Sequence, residues 1–207
     1  MSSNVEIYKD KLYFKNVEYD YDAIKLLLSR INKKIRITIC SEKIFIKKYK
    51  YPEEKIKIEK YIDNKISEDF SDKSNLLFHY EVEKNERYFY LYSMRNDRIN
   101  NLFYGAKELI IEPIQFKVKN KIIKKLRKHK YILVYYKIKE LNHLINIEDG
   151  FIIDSLITES FEKVNTYINE RSDYVLVVDK SLKDIKIEDI NYYIDLGVDI
   201  YEKICEK

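Results

Sequence analysis

Apolar and polar positions along this chain follow two periods, and the switches between them mark its elements. In VEIYKDKLYFKNV (5–17) they alternate with period two on both sides of Lys9-Asp10, which predicts a β-hairpin. In DAIKLLLSRIN (22–32) Ile24, Leu27, Leu28 and Ile31 recur at the spacing of one helical face. IRITIC (35–40) returns to alternation, with Ile35, Ile37 and Ile39 set against Arg36 and Thr38. KIFIKKYK (43–50) predicts a further strand. Pro52 then punctuates the chain, and Glu53 and Glu54 place negative charge in the first turn of a helix, where the dipole favours it. Ile58, Tyr61, Ile62, Ile66 and Phe70 form the apolar stripe of that helix. LLFHYEVE (76–83) and RYFYLYSM (87–94) flank Lys84-Asn85-Glu86 as a second hairpin.

The second half continues the mixture. Ile99, Leu102, Phe103 and Ala106 predict a helix over 97–106. ELIIEPIQFKV (108–118) predicts a strand in which Pro113 marks an edge or a bulge. A basic helix follows over 119–129. YILVYYKIKELNHLINIEDGFIIDSLIT (131–158) predicts three strands in a row, with Glu148-Asp149-Gly150 as the turn between the last two. A helix (159–170), an apolar strand YVLVVD (174–179) and a last helix near 187–205 complete the chain. Strands and helices interleave throughout, so the class is α/β or α+β with mixed sheets.

Composition narrows the function more than the fold. The chain has 207 residues, which suits one large domain or two small ones. It is 36% charged, yet the net charge is only +4, without the imbalance that basic nucleic-acid binders show. Its 20 tyrosines accompany abundant Ile, Lys and Asn, a bias that fits an AT-rich genome, so they need no special binding role. Cys40 and Cys205 offer no disulfide framework, no signal peptide is evident, and no run of 18 apolar residues occurs. A soluble cytoplasmic protein with reduced thiols is expected. His79, His129 and His143 lack metal-ligand spacing, and no nucleophile–base–orienter triad can be assembled. Neither a metal site nor triad catalysis is therefore expected. Glu148 and Asp149 read as turn chemistry, and Asp154 as an outward-facing strand position.

The order of elements resembles the actin-like family that includes the division protein FtsA, the type IV pilus protein PilM and the cytoplasmic part of the secretion subunit GspL. Residues 35–66 look like its strand, turn, strand, Pro and helix, and 76–118 like the hairpin, helix and Pro-containing strand that follow. YILVYYKIKELNHLINIEDGFIIDSLI is similar to its second phosphate-binding hairpin. The resemblance implies an α/β fold of reduced actin-like (ribonuclease H-like) mixed sheets with an inserted strand–helix–strand–strand subdomain. The insert is expected over 35–107, and the main actin-like part over 1–34 and 108–207.

The departures from that family bear on activity. Actin-like ATPases hold nucleotide at three glycine-bearing turns, where backbone approaches phosphate or adenosine closely. Here the first hairpin reads IYKDKLYF, the second place carries Tyr135-Tyr136-Lys137, and the third carries Val178-Asp179-Lys180. Gly105, Gly150 and Gly197 fall at none of them. The residues after Thr158 leave room for one helix, one strand and one helix, so the family's fourth subdomain is not expected. The departures imply a reduced, nucleotide-free domain with no cofactor and no enzymatic activity, its cleft filled by side chains.

Two surfaces remain as candidates. Tyr88, Tyr90 and Tyr92 share one face of a strand and, with Phe45, form a candidate protein-recognition surface. The plainer reading is a core-facing strand. Lys121, Lys124, Lys125 and Lys128 in KVKNKIIKKLRKHK (117–130) form a candidate contact for an anionic surface, or simply a solvated helix face with Ile122, Ile123 and Leu126 turned inward. The resemblance implies a cytoplasmic scaffold at the inner face of the membrane. It would bind the PilN-like cytoplasmic peptide of a bitopic membrane subunit, touch the membrane peripherally and couple to the pilus motor ATPase. The alternatives are a divergent ATP-binding protein and a basic nucleic-acid-binding module, although no nucleic acid is expected as a partner.

Overall fold

The computed structural model describes residues 2–15, 17–31, 33–52, 57–96 and 106–196. The chain forms two compact units, one of Met1–Lys43 with Asn101–Lys207, the other of Ile44–Asn100. The helix expected over 97–106, Glu53, Glu54, Gly197, Cys205 and the side chain of Leu28 lie outside the described residues. Among the described residues no helix is long and apolar enough to cross a membrane.

The larger unit lays down one order of strands twice. β1 (Ser3–Ile7), β2 (Lys11–Phe14) and β3 (Val17–Asp20) form an antiparallel meander. A single 3-10 turn and α1 (Ile24–Leu28) lead into β4 (Lys34–Ile39), which lies parallel to β1. The chain then enters the second unit as β5 (Phe45–Lys50), α2 (Ile58–Asp69), β6 (Leu76–Glu83) and β7 (Tyr88–Arg95). It returns as β8 (Glu108–Pro113), parallel to β4. After α3 (Ile114–Lys125) the order repeats: β9 (Tyr131–Ile138), β10 (Leu141–Glu148) and β11 (Phe151–Thr158) form a meander. Next come α4 (Phe161–Asn169), β12 (Val175–Asp179) parallel to β9, and β13 (Tyr192–Ile194) parallel to β12. The sheet orders β3-β2-β1-β4-β8 and β11-β10-β9-β12-β13 correspond place for place.

The second sheet shows why the apolar run ILVYY is uninterrupted. β9 is its central strand and is buried on both faces, which removes the polar half of the alternation. Leu133 and Tyr135 pack with Leu144, Leu176 and Val178 against Val164 and Tyr167 of α4. On the other face Ile132, Val134, Tyr136 and Ile138 join Ile145, Ile147 and Val177 over Ile114, Val118 and Ile122 of α3. Ser160 starts α4, its hydroxyl accepting the Lys163 N–H at 3.3 Å.

Three expectations are corrected. Pro113 does not interrupt a strand. It ends β8 and caps α3, so 114–118 is helical, and the basic helix stops at Lys125 rather than 129. Ile114, Val118 and Ile122, four residues apart and all buried, set the helical period there. The segment expected as a last helix is extended where it is described. Asn191 ties it to β12 by donating its N–H to the Leu176 carbonyl (3.1 Å) and accepting the Leu176 N–H on Oδ1 (2.7 Å). The insert is also shorter than 35–107, because Ile35, Ile37 and Ile39 are buried in β4 beside β1.

The smaller unit has the expected strand, helix, strand, strand order, arranged as an antiparallel sheet β5-β7-β6. Ile62 of α2 is buried on Phe89 and Leu91 of β7. Tyr49 stacks on Phe89 at 5.0 Å, and Phe70 meets Phe78 edge-on at 5.0 Å.

Asp149-Gly150 makes the two-residue turn between β10 and β11, with φ of +48° and +86°. Positive φ at both positions is the type I′ pattern that matches strand twist. Gly150→Ala is expected to cost about 1–2 kcal/mol, since a Cβ is penalised in this region. A chemical-denaturation midpoint unchanged from the parent chain would contradict that.

Candidate functional site

Two hairpin tips, at Tyr8–Asp10 between β1 and β2 and at Lys139-Glu140 between β9 and β10, come together in the larger unit. Tyr8 and Tyr13 meet edge to face at 5.2 Å. Lys139, held at φ +53°, places its Nζ 4.2 Å from the Tyr8 ring centre and 3.1 Å from that of Tyr13. Packing against the rings desolvates the ammonium and lowers its pKa. Lys11 and the Tyr13 hydroxyl both donate to the Glu18 carboxylate, which holds Glu18 below the usual carboxylate range. Desolvation, with the Glu18 bond second, pushes Tyr13 up to about 12. The Tyr21 hydroxyl donates to the Tyr8 carbonyl at 2.7 Å and fixes the first tip from behind.

Beneath the tips lies a buried stack. Tyr136 is 0% exposed and lies flat on His143, with ring centres 4.9 Å apart and 18° between planes. Cys40 and Tyr8 belong to the same packed cluster. Burial pushes His143 down to about 3, pushes the Cys40 thiol up to about 12 and raises Tyr136 well above its ordinary value. At neutral pH the imidazole is neutral and the thiol and phenol keep their protons. None of the three serves there as a thiolate nucleophile or as a base poised near pH 7.

The structure separates the two tyrosines that the sequence sets side by side. Tyr135 points to the α4 face and donates its hydroxyl to Asn142 Oδ1 at 2.8 Å, while Asn142 Nδ2 donates to the Thr158 carbonyl at 3.1 Å. Lys137 is half-buried and pairs with Glu140 at 3.4 Å. At the third expected turn Asp179 is buried, and its Oδ1 accepts the Ser181 N–H at 2.9 Å to cap a single 3-10 turn. Asp154 is half-exposed on the edge strand, where it accepts the Tyr167 hydroxyl (2.8 Å) and Arg171 Nη2 (2.9 Å).

The tyrosine row of β7 shares one face, as alternation predicts. Its cross-strand partners are Lys50, Lys48 and Ile46 on β5, and Glu83, Glu81 and His79 on β6. Its rings are already packed: Tyr90 is 8% exposed and Tyr92 2%. Tyr92 stacks on His79 at 6.0 Å and donates to Glu81 at 3.1 Å, and Lys48 lies 4.1 Å over Tyr88. Phe45 pairs with Ser93 and so lies on the opposite face, the one that carries α2, where it is 54% exposed. The four residues therefore do not form one patch. Of the lysines, Lys124, Lys125 and Lys128 are exposed and Lys121 is half-buried.

No family model and no curated protein matches the chain. Solved structures do. A Bacteroides thetaiotaomicron protein with an actin-like ATPase fold and unknown function superposes with a TM-score of 0.55 at 13% identity, over 88% of this chain and 82% of that one. This chain has an actin-like fold. The cytoplasmic domain of EpsL, an inner membrane component of the type II secretion system of Vibrio cholerae, matches at 0.53 and 6% identity over 85% and 80%. A chain of the PilM–PilN type IV pilus biogenesis complex matches at 0.50 and 12% identity, over 83% of this chain. The actin-like chain spans 65% of the length of that pilus chain. The likeness to PilM- and GspL-type structures that the order of elements suggested is thus found in three dimensions.

Sequence reasoning missed Lys139, Tyr8, Tyr13 and His143. His143 was the most accessible of them, because it alternates in phase with Ile145 and Ile147 on a buried face. Its burial has a pH signature. Below its ordinary 6.5 the unfolded chain takes up a proton that the folded chain, with a pKa of about 3, refuses. This contribution is intact above pH 6.5 and is lost as pH falls, by about 1.4 kcal/mol per pH unit. His143→Phe is expected to flatten the stability profile between pH 6.5 and 5. An unchanged slope in urea titrations across that window would contradict the assignment.

Proposed function

We propose that this actin-like chain is a non-catalytic cytoplasmic scaffold of a type IV pilus or type II secretion-like machine. It binds the cytoplasmic tail of a bitopic membrane platform subunit and couples that platform to the motor ATPase. One observation carries the reading: the hairpin tips, glycine-bearing turns in nucleotide-binding relatives, are closed here by Lys139, Tyr8 and Tyr13 over the buried Tyr136. The fold is shared with a chain of the PilM–PilN type IV pilus biogenesis complex and with the cytoplasmic domain of EpsL, an inner membrane component of a type II secretion system. Exposed Lys124, Lys125 and Lys128 would add peripheral attraction to an anionic membrane, roughly 1 kcal/mol each near the surface. Within the smaller unit Phe45 is the accessible apolar anchor for a tail, whereas Tyr90 and Tyr92 support the sheet that presents it.

Isothermal titration with the cytoplasmic tail peptides of PilN-like platform subunits tests the reading. Saturable binding is expected, weakened about tenfold by Phe45→Ala with an unchanged melting temperature. Tyr92→Ala should instead destabilise the fold by about 3 kcal/mol. Absence of binding to every platform tail would end the proposal.

A further inference from the structure

A cleft of about 470 Å³ opens where α3 ends and β9 begins, away from the hairpin tips. Its floor is aliphatic: Ile123, Leu126, Ile132 and Ile147. Its rim is predominantly basic, with Arg127, Lys128, His129 and Lys130 against one acid, Asp149. Ile132 and Ile147 are buried strand residues, so the floor is part of the core and does not depend on a mobile loop. Gly150 forms part of the wall, and a Cβ there would point at Ile123 Cδ1 from 3.7 Å.

The local partners leave a defined surplus of charge. Lys124 and Lys125 occupy the last turn of α3, where they offset its negative carbonyl end. Lys130 pairs with Asp149 at 3.3 Å, and the His129 ring lies against Tyr192, with 3.3 Å between Nε2 and the hydroxyl. Arg127 and Lys128 are exposed and have no ion pair among the described residues. Two uncompensated cations thus stand over an apolar concavity.

We propose that this cleft binds an acidic peptide segment, which seats one apolar side chain on the isoleucine–leucine floor and pairs its flanking carboxylates with Arg127 and Lys128. An arginine and a lysine side by side suit carboxylates, since the guanidinium fork takes them bidentately and the ammonium follows as a point charge. A buried apolar anchor inside a polar rim is how compact recognition sites concentrate their affinity. A lipid bilayer would meet the same charges as a flat array and leave the concave floor unfilled. The assignment does not rest on the platform-tail reading, whose apolar anchor Phe45 lies in the other unit, although Lys128 is common to both.

The test uses the intact ¹⁵N-labelled chain and three probes: the capped peptide Glu-Glu-Leu-Glu-Glu, the same peptide with Ser for Leu, and phosphatidylglycerol vesicles. The leucine peptide is expected to shift amides at 126–130 and 147–150, and to bind at least fivefold more tightly than the serine peptide. R127E/K128E should weaken it more than tenfold while leaving distant resonances in place, and Phe45→Ala should change nothing. No shifts at millimolar peptide, or equal affinity for the two peptides, would overturn the proposal. So would vesicle binding that R127E/K128E abolishes while the peptides leave the resonances unmoved.

Discussion

The double burial of β9 is the constraint on which the larger unit depends. A central strand with helices on both sides cannot spend alternate positions on solvent, so ILVYY is apolar or aromatic at every step. Strand geometry then divides the run, sending Leu133 and Tyr135 to α4 and Ile132, Val134 and Tyr136 to α3. The first sheet repeats the arrangement around β1, with the same strand order. Two hairpins of one kind therefore converge tip to tip, and what the tips carry decides what the convergence can do.

In this chain the tips carry side chains where close backbone approach to a ligand would call for glycine. Lys139 adopts a left-handed backbone conformation at a cost of about 1–2 kcal/mol. Its contact with two rings returns roughly 0.5–2 kcal/mol, depending on how dry the contact is. The local balance is near even, so the clasp itself is not what stabilises the unit. Burial beneath it is larger in scale, since an aromatic side chain such as Tyr136 contributes about 3–5 kcal/mol by truncation. The stack of Tyr136 on His143 thus dominates, and its neutral imidazole follows from the same desolvation.

Much of this was legible in the sequence wherever a signal was local. Alternation marked β1, β2 and the three strands of the second meander but not β3, whose Val17–Asp20 falls between the expected hairpin and helix, and Asp149-Gly150 announced its turn through the only glycine among the described residues at positive φ. Pro113 misled because the four-residue spacing of Ile114, Val118 and Ile122 lies behind a strand-like run. The segment around Tyr192 misled because its pairing depends on Asn191 reaching Leu176, a contact no local pattern encodes. The tyrosine row of β7 was readable as one face, and the plainer core-facing reading is the one its packing fits, although its cover of His79, Glu81 and Lys48 comes from neighbouring strands that no local pattern specifies. Phe45 and that row were grouped by residue type, and the register with Ser93 separates them. Lys139 left no signal beyond its place at a hairpin tip.

The converging hairpins stand over a packed core, and we propose that this core leaves no room for a nucleotide. Calorimetric titration of magnesium ATP into the intact chain tests it most directly. No saturable heat up to millimolar nucleotide is expected. A one-to-one isotherm with micromolar affinity would contradict it.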